Sequence, residues 1–190
     1  MTESPFQLRK AIARSAFAAL VVAGLFCGAS AQAASPTIAT EQGFKASFLF
    51  NLTQFVTWPS TAFPTVSTPF VIGIIGTDPF GGLLDDLVHN ESVDGRKIVI
   101  KRSARVADLK TCQIVFISQS EAGRAKDILQ ALADTSALTV SDIPRFCQMG
   151  GMMAVEAGAK GVAFEIHVTA AKSVGLRISS KVLKLARKTY

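Results

Sequence analysis

Three places in the chain put polar side chains directly after apolar runs of strand length. Thr77 and Asp78 follow Phe70–Ile75, Ser118 and Ser120 follow Gln113–Ile117, and Ser141 and Asp142 follow Leu138–Val140. In open α/β sheets ligands collect at the carboxyl ends of the strands. Thr77, Asp78, Ser118, Ser141 and Asp142 therefore predict a small-molecule crevice. The same residue types also cap helices and close turns, and the sequence supports both readings. The loop Gly76–Gly82 has neither a G-x-G-x-x-G pattern nor a Walker lysine, which argues against a nucleotide loop. Asp78, at a predicted helix cap, also occupies the place a phosphate would take.

Covalent and metal chemistry find less support. A serine or thiol nucleophile needs a base beside it, yet there is no G-x-S-x-G elbow and the only histidines are His89 and His167. Ser180 and Lys184 lie one helical turn apart, a spacing that arises by chance, and Cys147 has no histidine near it in sequence. Asp85 with His89, and Glu165 with His167, offer two ligands each where a structural zinc site takes four. The expectation is a protein without catalytic activity, metal or cofactor.

Length and composition say what must hold these residues. The chain has 190 residues, 49% of them apolar and 18% charged, which excludes a disordered chain and fits one domain with a core of its own. Arg9, Lys10 and Arg14 precede an apolar run from Phe17 to Ala29, followed by Ala31-Gln32-Ala33. That order is the pattern of a secretory signal peptide cleaved near Ala33. Residues 34–190 then form the mature domain, with 17 bases, 13 acids and a net charge of +4. Such an excess is ordinary, no aromatic–basic interleaving stands out, and no nucleic-acid partner is expected.

Two cysteines remain in the mature part, Cys112 at the start of one predicted strand and Cys147 just beyond another. An oxidising compartment favours a disulfide. A parallel arrangement would put them at opposite ends of the sheet, whereas a bridge needs Cα atoms within about 7 Å. A Cys112–Cys147 bridge and two buried or free thiols both stay open.

The elements follow from periodicity. Phe44, Phe48, Leu52 and Phe55, widened by Leu49 and Val56, predict a helix from Glu41 that Trp58-Pro59 closes. Strand Phe70–Ile75 leads into a helix capped by Asp78, with Pro79 as its first residue, running to about His89. Asp94-Gly95 is a turn before strand Lys97–Lys101, and Gln113–Ile117 is a buried strand. Ser118 with Glu121 reads as a capping box opening a helix through Leu132, followed by strand Leu138–Val140. Gly151–Ala157 and Val162–His167 predict a hairpin in which Gly158 pairs with Gly161 and Ala154 with Glu165. Val155, Phe164, Ile166 and Val168 form its core face; Glu156, Glu165 and His167 form a polar face, solvated or partner-binding. A final helix, Ile178 to Lys188, carries Arg177, Lys181, Lys184 and Lys188 along one side, either solvated or in electrostatic contact with a partner or anionic lipid. The fold class is α/β: one layered domain with a mixed, mostly parallel sheet flanked by helices, a late β-hairpin and a C-terminal helix.

In order along the chain, GFKASFLFNLTQFVTWP (43–59), IGIIGTDPFGGLLD (72–85), GRKIVIKR (95–102), CQIVFIS (112–118), LTVSD (138–142), GGMM (150–153) and VAFEIHVTAAKSVGLRISSKVLKLA (162–186) resemble the YfiR family of small periplasmic regulators. The resemblance covers nearly all of the mature chain. It implies an α/β fold, periplasmic location, no catalysis, and binding to the periplasmic sensory domain of an inner-membrane GGDEF protein, a diguanylate cyclase held inactive. It also implies relief by an outer-membrane lipoprotein, and a homodimer. Phe44, Phe48, Trp58, Pro59, Ser141, Asp142, Gly150, Gly151, Glu165, Arg177, Ser179 and Ser180 align with recurring family positions, most of them structural. Glu165, His167, Arg177, Ser179 and Lys181 are the expected partner-binding residues, with His167 where the family tends to have asparagine. Val71 and Ala154 stand near positions where the redox-responsive member has bridging cysteines, so disulfide-based sensing is not carried over. The alternative is a free-standing periplasmic small-molecule sensor using the strand-end crevice.

Overall fold

A computed structural model describes residues 36–158 and 161–190. The expected signal peptide and the hairpin tip at Ala159 and Lys160 lie outside the described residues. Helix α1 (Pro36–Phe55) begins before the expected start at Glu41 and runs directly into a two-residue strand, β1 (Val56–Thr57). Its packed side is Ala46, Leu49, Leu52, Thr53 and Val56, rotated from the phenylalanine face read in the sequence. Phe44 and Phe48 are half-buried and Phe55 lies on the exposed side. Apolar residues surround this helix, so spacing alone does not choose the side that packs. Thr53 is buried because its hydroxyl donates to the Phe50 carbonyl at 2.7 Å.

The chain continues through β2 (Phe70–Ile75), α2 (Leu83–Val88), β3 (Ser92–Val93), β4 (Arg96–Arg102), β5 (Ile114–Ile117), α3 (Ala125–Leu132) and β6 (Leu138–Ser141). It closes with β7 (Met153–Gly158), β8 (Gly161–Ile166), α4 (Val168–Ser173), β9 (Arg177–Ile178), α5 (Ser180–Leu185) and β10 (Lys188–Thr189). Eight strands form one sheet in the order β10-β8-β7-β6-β5-β2-β4-β3. Strands β4, β2, β5, β6 and β7 are parallel, with β3 antiparallel at one edge and β8 antiparallel to β7. The hairpin has the expected register, Ala154 opposite Glu165 and Gly158 opposite Gly161. Asp94 and Gly95 both have positive φ, 50° and 74°, the conformation of a type I′ hairpin turn between β3 and β4.

The central strands β2 and β5 are apolar along their length, and β6 adds only the buried Thr139 and Ser141, because both faces are covered. Phe70, Ile72, Ile74, Ile114, Phe116, Leu138 and Val140 pack on one side with residues of α1, α2, α4 and α5. Ile75, Val115 and Ile117 pack on the other with Ala125, Ile128 and Leu132 of α3. Gly73 belongs to this second side: a Cβ there would lie 3.0 Å from the Cys112 Sγ and 3.1 Å from a Leu109 methyl.

Three expected elements differ. The helix after β2 starts at Leu83, because Asp78 uses its Oδ1 to accept from the Phe80 amide at 2.7 Å and Gly81 has φ 55°. The Ser118–Glu121 capping box is half made. Ser118 caps a short 3₁₀ helix, Gln119–Arg124, while the Glu121 side chain pairs with Arg124. The final helix, expected over Ile178–Lys188, is shortened to α5, with Ile178 taken into β9 and Lys188 into β10. Arg177 lies in β9, where it is opposite Thr57, and Lys188 lies in β10 opposite Glu165.

Gln113 joins the elements at the amino-terminal end of the sheet. Its Oε1 accepts from the Val71 amide at 2.8 Å, its Nε2 donates to the Ala62 carbonyl at 2.8 Å, and its carbonyl accepts from the Trp58 indole at 2.9 Å. Gln113 is buried, so Gln113→Leu strands the Val71 N–H and the Ala62 carbonyl. The expected loss is roughly 2–4 kcal/mol of unfolding free energy, read by urea denaturation. A change too small to resolve would mean that water replaces the amide. Gly151→Ala is expected to destabilise as well, since the new Cβ falls 2.2 Å from the buried Phe146 ring.

Candidate functional site

The chain leaves β2 toward β4 on one side and reaches β5 on the other, so the switch point of the sheet lies between the ends of β2 and β5. That point is filled by the protein itself. The Thr77 amide donates to the Ser120 hydroxyl at 2.9 Å, and a Cβ on Gly76 would meet the same oxygen at 2.5 Å. The expected crevice is therefore not one site. Ser118 is buried and caps the next turn. Ser141 is wholly buried, donating to the Ile117 carbonyl at 2.6 Å and accepting from the Ile143 amide at 3.0 Å. Asp78 turns away to Arg102 at 2.7 Å. Arg102 also binds Asp85, and that hydrogen bond holds the Asp85 carboxyl below its ordinary range.

Of the five, Asp142 opens onto a cavity. A groove of about 450 Å³ lies at the ends of β6 and β7 and the start of β8. Asp142 bonds the Lys45 ammonium at 2.7 Å and accepts from the Gln119 amide at 3.0 Å. The two side chains are 19% and 10% exposed, so this pair sits well below the surface. At the other end Arg187 donates to Glu156 at 2.8 Å and to Glu165 at 2.9 Å, and the Tyr190 hydroxyl donates to Glu165 at 3.0 Å. Between them stands Arg145, exposed, with its backbone left-handed at φ 60°, and free of ion pairs among the described residues. A non-glycine residue held there is strained, a state that concentrates at binding sites. Lys45, Arg145 and Arg187 carry no motif: they stand in a helix, a loop and the tail, and only the fold brings them together.

The expected partner-binding residues divide into two groups. Glu165 is committed to Arg187 and Tyr190; chiefly the Arg187 hydrogen bond lowers its pKa, against partial desolvation. His167 caps α4, its Nδ1 accepting from the Ala170 amide at 3.2 Å, and Ser179 caps α5, accepting from the Lys181 amide at 3.3 Å. Arg177 and Lys181 point to solvent. Arg177 and Lys172 border an apolar notch of about 240 Å³ between α4, β9 and α5, lined by Val168, Ala171, Leu176, Ile178 and Leu183.

The two cysteines are free and buried. Cys112 packs against Gly73 before β5, whereas Cys147 lies beyond β6, its thiol donating to the Glu165 carbonyl at 3.6 Å. Their places at opposite ends of the parallel strands answer the question of a bridge. Burial pushes both thiols up to about 11, which leaves them protonated and weak as nucleophiles.

A family model described as YfiR/HmsC-like matches residues 42–187. Among solved structures, a conserved domain protein from Vibrio cholerae superposes with a TM-score of 0.51 at 14% identity, covering 78% of this chain and 60% of that one. The ABC domain in complex with L-Trp from Streptococcus pneumonia gives a TM-score of 0.50 at 10% identity, with the same coverages of 78% and 60%. The chain thus spans 60% of the length of each structure, and at these identities the likeness is one of fold.

The Glu165 clamp has a pH signature. A carboxyl whose folded pKa lies below its ordinary 4.5 stabilises the tail above that value and loses its hold as pH falls through the folded pKa. The amides of Arg187 and Tyr190, bonded to the Phe164 and Ile166 carbonyls, report it by hydrogen exchange. Glu165→Gln is expected to speed their exchange at neutral pH, whereas the native chain keeps its protection down to the ordinary glutamate range. Equal protection in both proteins at pH 7 would remove Glu165 from the clamp.

Proposed function

The chain belongs to the YfiR/HmsC-like family, and from that membership we propose that it is a non-enzymatic periplasmic regulator of an inner-membrane diguanylate cyclase. It binds the cyclase's periplasmic sensory region and lowers cyclic di-GMP output. Residues 1–33 direct export, and residues 34–190 form the regulatory domain. The observation that carries the reading is the extent of the family match, residues 42–187, which takes in all of the elements that shape the groove and the notch except the first turns of α1 and the end of the tail. The buried, protonated thiols and His167, spent as a helix cap, are in keeping with the non-catalytic role proposed here.

The docking surface in this reading is the notch with Arg177 and Lys172 at its rim. An apolar floor with charges kept at the edge is the anatomy of a protein interface. His167 and Ser179 cap the helices that flank that surface, Glu165 clamps the tail, and Arg177 meets the partner. Inhibition follows by linkage: the regulator prefers the inactive conformation of the sensory domain and shifts its equilibrium. A hundredfold preference corresponds to about 2.7 kcal/mol, within the range of allosteric couplings. An outer-membrane lipoprotein that captures the regulator relieves the brake.

The groove at Asp142 favours a second reading, a small-molecule sensor. Its Lys45–Asp142 pair and unpaired Arg145 suit a small zwitterion or carboxylate. Saturable stabilisation by a metabolite, abolished in Arg145→Ala and independent of any cyclase, would favour this reading.

Deleting the gene in its host is expected to raise cyclic di-GMP, and a complementing copy to restore it. An Arg177→Glu copy is expected to fail while the purified variant melts within a few degrees of the native protein, because Arg177 is exposed. Unchanged cyclic di-GMP on deletion, under several envelope stresses, would sink the repressor reading. Equal loss of folding and binding would return Arg177 to a structural role.

A further inference from the structure

Residues 168–190 contain six Lys and Arg and no Asp or Glu, whereas residues 34–167 contain 11 bases and 13 acids. The positive excess of the expected mature chain thus lies wholly in the elements from α4 to β10. Of these bases Arg187 is held by Glu156 and Glu165. Lys172, Arg177, Lys181, Lys184 and Lys188 are exposed and form no ion pair among the described residues. On α5, Lys181, Lys184 and Leu185 stand at i, i+3 and i+4 and share one side, while Val182 is buried. Leu185 is 75% exposed, one of the few large apolar side chains so placed among the described residues. A projecting leucine between two unpaired lysines is costly in water, since its apolar surface gains nothing there.

We propose that this face of α5, Lys181, Lys184 and Leu185, is a docking surface for an anionic phospholipid bilayer. It seats the protein on the membrane that holds its partner, and it rests on the periplasmic reading above. The chemistry favours lipid over an acidic protein face. Lysine is depleted from protein interfaces and binds phosphate as a point charge without fixed geometry, whereas arginine supplies the rigid fork that protein carboxylates select. Four of the five unpaired bases are lysines. Leucine can enter the headgroup boundary while lysine stems lie along it and keep their ammonium groups at the phosphates. The projecting Leu185 also differs from the notch at Arg177, which has room for a partner's side chain. Each lysine at an anionic surface contributes about fivefold to partitioning, screened by salt.

The test is cosedimentation of the protein, as processed by its host, with phosphatidylethanolamine–phosphatidylglycerol vesicles and with phosphatidylcholine vesicles, at low and high salt. The expected result is binding to the anionic vesicles at low salt. It weakens at least about tenfold in K181E/K184E and in high salt, and about threefold in Leu185→Asn. The variants share the native N-terminus, so their difference isolates α5; unchanged melting curves show that they fold. Equal binding to neutral vesicles, no binding to anionic ones, or unchanged binding of K181E/K184E overturns the proposal. Binding to a soluble sensory domain without lipid separates this proposal from the docking reading. K181E/K184E is expected to retain it, and its loss would assign the face to protein and overturn the lipid surface.

Discussion

The structure depends on one constraint: strands β2, β5 and β6 are buried on both faces. Their alternate residues feed two cores, so helices must cover each side, and the chain must supply apolar contacts to both. Ile72, Ile74 and Phe116 engage α1 and α2, while Ile75, Val115 and Ile117 engage α3. A parallel sheet of this kind has no solvated face on which to place function. Polar chemistry is confined to its ends and edges. The ends of the central strands are consumed by internal needs, since Ser141, Ser118 and Gln113 satisfy buried backbone groups there. At the carboxyl ends the groove is displaced outward, to β6, β7 and β8.

The same constraint shapes the edges. Strand β3 is two residues long, folded back on β4 by the Asp94-Gly95 turn, and β10 covers the outer side of β8 with another two. Short terminal strands of this kind protect a sheet from pairing with other chains. The tail is fixed by Arg187 bridging Glu156 and Glu165 and by Tyr190. Lys45, Arg187 and the carboxylates near the groove are paired in this way, Arg145 excepted, whereas the bases on α4, β9 and α5 form no ion pair among the described residues. The molecule thus separates ionic groups that hold it together from ionic groups left available to a partner or a surface.

Much of the architecture was legible in the residues. Strand Phe70–Ile75 was read with its boundaries, and the hairpin register followed from counting outward from Gly158 and Gly161. The misreadings have identifiable causes. Asp78 matched the residue type of a helix cap, but Gly81 and Gly82 delayed the helix and Arg102, far along the chain, took its carboxylate. The tail matched one long amphipathic helix because its lysines and apolar residues keep helical spacing. The pairing of β9 with β1 and of β10 with β8 took the two ends of that run into strands and left α5 between them.

Periodicity, turn residues and the separation of apolar from polar positions determined the α/β class, the parallel core and the hairpin, because these features are written locally along the chain. The strand-end residues could be placed at the ends of strands for the same reason. Which of them share a cavity was decided only in three dimensions. Whether Asp142 faces Lys45 and whether Glu165 is free or clamped depend on contacts between residues far apart in sequence. A hydrogen bond or ion pair formed by folding leaves no local pattern. Lys45 and Asp142 are 97 residues apart, and only the packing of α1 against the sheet brings that ammonium to 2.7 Å from its carboxylate.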